Sequence, residues 1–142
     1  MTNNAFICKA DNVEFNNIIF SQNNGSSVLK VYGNNIKIYN CTFSSVNTDL
    51  GVLYLSSGSV DIVNTVINNV NSRYLISISK NTILKMSNSI VDENNLENSI
   101  FYLGDGSSLN ADYCIITNNR FADYVSIEEC GESVISLDYN WW

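Results

Sequence analysis

Apolar residues alternate with polar ones in short bursts along most of this chain, at the two-residue period of a strand that buries one face. Six segments lie over one another: FNNIIF, IYNCTF, IVNTVI, MSNSIV, ADYCII and LDYNWW, beginning at Phe15, Ile38, Ile62, Met86, Ala111 and Leu137. Their third positions are Asn17, Asn40, Asn64, Asn88, Tyr113 and Tyr139, spaced by 23, 24, 24, 25 and 26 residues. A period this regular predicts a solenoid with one coil per repeat.

Within a coil the alternation recurs three times. The first strand carries Phe6/Cys8, Leu29/Val31, Leu53/Leu55, Ile76/Ile78 and Phe101/Leu103. The second carries Val13/Phe15, Ile36/Ile38, Val60/Ile62, Leu84/Met86, Leu109/Ala111 and Ile135/Leu137. After a two-residue corner the third carries Ile18/Phe20, Cys41/Phe43, Thr65/Ile67, Ser89/Val91, Cys114/Ile116 and Asn140/Trp142. Three short strands per coil give a triangular cross-section. The expected architecture is all-β, a right-handed parallel β-helix of about 24 residues per coil and five to six coils, filling residues 1–142 as a single segment.

The corners agree with this reading. Between first and second strands lie Asp11-Asn12, Gly33-Asn34-Asn35, Ser57-Gly58-Ser59, Lys80-Asn81 and Gly104-Asp105-Gly106, all residues that accept turn geometry cheaply. Asn17, Asn40, Asn64 and Asn88 close the second corner and are expected to stack as a structural ladder, bonding along the column; Tyr113 and Tyr139 interrupt it. A separate check comes from the outward residues midway along the second strand: Glu14, Lys37, Asp61, Lys85, Asn110 and Ser136. Their signs alternate over four coils, which sets opposite charges side by side at the roughly 4.8 Å strand spacing. A leucine-rich repeat would place its Asn one residue later and use more Leu, and no window has the three-and-four spacing of a helix. Neither Met1 to Asn4 nor Trp141-Trp142 reads as a polar cap, so adjoining β-helix coils are expected at both open ends, as in a fragment of a longer chain.

Composition sharpens the picture. Asn fills 24 positions while Pro and His are absent, a mixture suited to tight turns between β-branched strands. Seven basic and fourteen acidic side chains leave a net charge of -7, which disfavours nucleic acid and anionic membrane surfaces. No apolar run exceeds four residues, as at Ala5 to Cys8, too short for a signal-peptide core or a membrane span. Cys8, Cys41 and Cys114 fall at inward positions and are expected as buried free thiols, since Cys41 and Cys114 lie three coils apart, about 14 Å, beyond disulfide reach. Cys130 sits in an expanded turn.

The stretch IKIYNCTF, Ile36 to Phe43, resembles the parallel β-helix repeat of pectin-lyase-like proteins, as four other coils do less fully. The terminal run Asp138-Tyr139-Asn140-Trp141-Trp142 is similar to the start of an element that closes β-helix units in adhesin-like surface proteins of methanogenic archaea. The resemblance implies an extracellular, wall-associated protein that binds other cells or polymers. It also permits an alternative, the non-catalytic part of a β-helix polysaccharide lyase or glycoside hydrolase.

Such enzymes use clustered Asp with a His, or Asp-bound calcium with a basic Arg or Lys. Here there is no His, and Arg73 and Arg120 lie two coils apart in the links from third to first strand. No outward column stacks several Asp, so no catalytic residue, cofactor or metal ligand is assigned. Glu128, Glu129 and Glu132 with Asp123 read as a solvated acidic turn before they read as a calcium site. Of two glycosylation sequons, Asn24-Gly25-Ser26 is feasible, whereas Asn40-Cys41-Thr42 belongs to the corner ladder. Any recognition is expected on the third-to-first links, where Arg73, Tyr74, Arg120, Phe121 and Tyr124 could meet carbohydrate or a cell-surface polymer. The expected function is a non-enzymatic surface adhesin or stalk segment.

Overall fold

The computed structural model describes residues 6–21, 24–121 and 127–142. Met1 to Asn4, Ala5, Asp123 and Tyr124, which figure in the expectations above, lie outside the described residues. Every described element is a strand, and every strand pairing is parallel. Equivalent residues of successive coils lie side by side: Phe6 with Leu29, Leu29 with Leu53, Leu53 with Ile76 and Ile76 with Phe101. The same holds for Phe15 with Ile38, Ile62 with Met86 and Ile67 with Val91. The chain is a β-solenoid with the anticipated coil register.

The second strands form one sheet of six, running from Glu14–Asn16 through Ile36–Tyr39, Ser59–Val63, Ile83–Ser87 and Ser108–Asp112 to Val134–Ser136. Its inward side chains Ile36, Ile38, Val60, Ile62, Leu84, Met86, Leu109 and Ala111 are all but inaccessible. Third and first strands depart from the expected outline. In two coils they run together as single strands, Thr42–Leu55 and Val66–Ile78, within a sheet of ten. The segments read as variable links are therefore largely paired strand, here called the arm. The arm adds two buried columns that the alternation did not reveal, Val46 with Val70 and Val28 with Val52, Leu75 and Ile100.

Corners are fixed by backbone conformation. Asn12, Asn35, Gly58, Asn81, Gly106 and Gly131 hold positive φ at the first corner, and Asn17, Asn40, Asn64, Asn88, Tyr113 and Tyr139 at the second. A third corner, at Ser45, Asn69, Glu93 and Asn118, has φ of 52° to 54°. Asn, whose side chain bonds its own backbone, enters this left-handed region at lower cost than most residues. Gly51 is required differently: with φ of 135° it lies where the arm changes register, and a Cβ there would sit 2.9 Å from the Leu75 carbonyl oxygen.

The second-corner ladder is partly different from the expected one. Its Asn side chains are exposed, and the side-chain bonds run through only part of the column. Asn64 donates to Asn40 at 3.4 Å, and Asn40 donates to Asn16 at 3.0 Å. Backbone bonds carry the column: Asn17 NH to the Tyr39 carbonyl, Asn40 to Val63, Asn64 to Ser87, Asn88 to Asp112 and Tyr113 to Asp138. Tyr113 and Tyr139 continue it, their rings stacked 5.0 Å apart and 6° from parallel.

Directly inside this corner runs a ladder of small polar side chains. Cys41, Thr65, Ser89 and Cys114 each donate to the carbonyl two residues earlier. Thr65 NH in turn donates to Ser89 Oγ at 3.1 Å, and Cys114 NH to Asn140 Oδ1 at 2.8 Å. These atoms satisfy backbone groups that would otherwise cost about 1–3 kcal/mol each when buried. All four cysteines are free, three of them buried and Cys130 exposed. Burial pushes the Cys114 thiol above its ordinary range, against a backbone hydrogen bond from Ser89 that pulls the other way.

The alternating charges hold the expected register: Glu14 beside Lys37, Lys37 beside Asp61, Asp61 beside Lys85. Among the described residues, however, the ion pairs close elsewhere, at Arg73–Glu97 and Lys80–Asp105, each 3.8 Å and each exposed. Lys37 leans over the Tyr39 ring instead, 5.9 Å from its centre.

Candidate functional site

The arm bends the outer surface into a cleft of about 960 Å³ that crosses five coils. One wall is a column of outward side chains in register: Asn24 beside Asn47, Asn47 beside Asn71, Asn71 beside Asn95, and Asn95 beside Arg120. At the strand spacing the column is about 19 Å long. Asn95 Nδ2 donates to Asn71 Oδ1 at 3.1 Å, which leaves the other amide groups of the exposed column facing the cleft. Asp49, Glu97 and Phe121, from the same strands, also line it.

The cleft exists because the arm cannot stay flat. Pairing slips between Gly25 and Ser27, between Asn47 and Leu53, and between Leu96 and Ser99, one irregularity at the same level of successive coils. Such bulges bend a strand and re-aim its side chains. Beneath the cleft floor the interior is polar, with Thr48 donating to Ser72 at 3.0 Å. Nearby, a true internal asparagine ladder fills the inward position that Val46 and Val70 occupy in earlier coils. Asn94, 1% exposed, donates to the Ile67 carbonyl at 3.0 Å and to Asn119 Oδ1 at 2.9 Å, and accepts from Val70 NH at 3.0 Å. Asn119 donates to the Val91 carbonyl at 3.0 Å.

The five residues singled out from sequence divide. Arg120 and Phe121 line the cleft, although Phe121 is half-buried and packs on the core. Arg73 points to Glu97, an acid of the cleft lining. Tyr74 is not part of that lining. Its ring lies 4.9 Å from that of Tyr102, and its hydroxyl accepts a hydrogen bond from Asn98 at 3.1 Å. Partial burial raises its phenol above the usual range, opposed by the Asn98 bond and reinforced by Glu128. Tyr124 lies outside the described residues.

The asparagine column was missed because its residues fell in segments read as variable links. A signal was present, since Asn24, Asn47, Asn71 and Asn95 are spaced by 23, 24 and 24 residues, the spacing that located the corners. Amides offer a donor and an acceptor on one planar group, so a stacked row suits hydroxyl-bearing ligands without selecting a charge. Among the described residues no group of three or more His, Cys, Asp or Glu is placed to hold a metal ion.

No curated protein and no solved structure matches the chain. The family model described as right handed beta helix region matches residues 2–138. With its parallel coils stacked about two dozen residues apart and that match spanning nearly the whole sequence, the chain belongs to the right-handed beta helix family.

Proposed function

We propose that this chain is a non-enzymatic, rigid segment of an extracellular surface protein, and that its lateral cleft holds an extended, neutral carbohydrate chain. The observation that carries the reading is the register-stacked row Asn24, Asn47, Asn71 and Asn95 along the cleft wall. A row repeating every 4.8 Å or so offers the same amide to successive units of a linear polymer, and preorganised donors lose little freedom on binding. Asp49 and Glu97 against a single Arg120 disfavour a polyanion. The surface-protein part of the reading rests on the terminal Asp138 to Trp142 run and its resemblance to adhesin-like proteins.

The test is a glycan array read with the intact chain, followed by titration of whatever binds. Asn71→Ala with Asn95→Ala should weaken binding at least tenfold while leaving the melting temperature within a few degrees. Binding to no neutral glycan, or binding indifferent to both substitutions, overturns the assignment. Depolymerisation of a bound polysaccharide, lost on changing Asp49 or Glu97, would replace it with an enzymatic one.

A further inference from the structure

The third wall is unlike the other outer surfaces. Its central outward column reads Ile19, Thr42, Val66, Ile90, Ile115 and Trp141, side by side in successive coils. Ile19 is 72% exposed, Ile115 45% and Trp141 71%. The neighbouring outward column runs Ser21, Ser44, Asn68, Asp92 and Thr117, so one carboxylate is the only charge in the two columns among the described residues, with exposed Glu93 at the corner beside it. That carboxylate is itself held by Thr117 at 3.0 Å and Asn118 at 2.9 Å. The stacked Tyr113 and Tyr139 rings, both exposed, form one rim.

A mainly apolar stripe on an exposed surface marks contact with something. We infer that this wall is where two copies of the chain meet, face to face and reversibly. A second copy fits on charge. At a net charge of -7 two chains repel, and the two outward columns of this wall bring a single carboxylate from each copy into the contact. It fits in shape when the two solenoids run antiparallel. A reversed partner centred between Val66 and Ile90 sets Trp141 over Ile19, Ile115 over Thr42 and Ile90 over Val66, so each larger side chain meets a smaller one and the gap of about 10 Å between sheets stays even, whereas a partner running the same way stacks Trp141 on Trp141 and Thr42 on Thr42. Such a two-fold arrangement uses the same patch on both copies. Five coil spacings of about 4.8 Å by a three-residue width, with the rim, bury roughly 500–800 Å² in total, at the small, transient end of the interface scale.

Sedimentation equilibrium over rising concentration tests this. The expected result is a weight-average mass climbing from 15.8 kDa toward twice that value. Ile115→Lys points outward, so it should keep the strand signature in circular dichroism and hold the chain monomeric, whereas Lys85→Glu on the second wall should leave dimerisation in place. A mass fixed at one chain throughout, or an Ile115→Lys chain that dimerises equally well, overturns the inference. Orientation is read by oxidising a mixture of Val66→Cys and Ile90→Cys chains, both carrying Cys130→Ser. The antiparallel pair gives mostly mixed disulfide dimers, and a majority of like-with-like dimers refutes that geometry.

Discussion

The second wall and the arm are wound from one chain at one pitch, yet one is a flat sheet and the other bends into a cleft. On the second wall every inward position from Ile36 to Ala111 is apolar, and the left-handed corners that end these four strands are backed by Cys41, Thr65, Ser89 and Cys114. In the arm the inward side mixes Val46 and Val70 with Thr48, Ser72, Asn94 and Ser99, and the pairing slips between three successive pairs of coils. Uniform burial fixes register, because a one-residue slip would turn the whole apolar set outward. A mixed interior tolerates the slip, and with it the curvature that a binding surface needs.

Paired truncations put the contrast under the greatest strain. Ile62→Ala on the second wall leaves a cavity among fully buried neighbours and should cost about 2–5 kcal/mol in denaturant unfolding. Thr48→Ala in the arm removes one hydroxyl bond and should cost only about 1 kcal/mol. Equal losses would erase the distinction.

Asn94→Val restores the residue type found at Val46 and Val70, but strands the Ile67 carbonyl and the Val70 amide. A loss of about 1–3 kcal/mol is expected, read by thermal melting, and a gain would mean that the internal ladder is dispensable. At the second corner Asn64→Ala should cost about 1 kcal/mol through its positive φ, with Asn64→Gly close to neutral. Equal losses from both substitutions would assign the cost to the side-chain bond with Asn40 instead. The smallest effect is expected from Lys85→Glu, which sets two acids side by side in register with Asp61. Because that surface is exposed and its charges are not in contact, the change should stay below about 1 kcal/mol and shrink further in salt.

The same contrast explains what could be read from sequence. Corners and the second wall were legible because each coil repeats one residue type at nearly constant spacing, as at Asn40, Asn64 and Asn88. The arm was not, since coil lengths drift there and an inward Val in one coil is answered by Asn94 or Asn119 in another. The row from Asn24 to Asn95 kept the period, but polar residues in an assumed link carry no sign of pairing. For the alternating charges, sequence supplied the register but not the contacts. Which way a long side chain leans, as Lys37 does toward Tyr39, depends on its local neighbours.

Left-handed residues at matching places in every turn also make length a discrete variable. Residues 42–65 and 66–89 are each one complete circuit, beginning at Thr42 and Val66, which lie side by side on the third wall. Removing or duplicating either block would shorten or lengthen the rod by one step of about 4.8 Å and return every surviving side chain to its own file. A block that is not a whole circuit would leave its remainder out of file, so selection on reach can act only in whole turns.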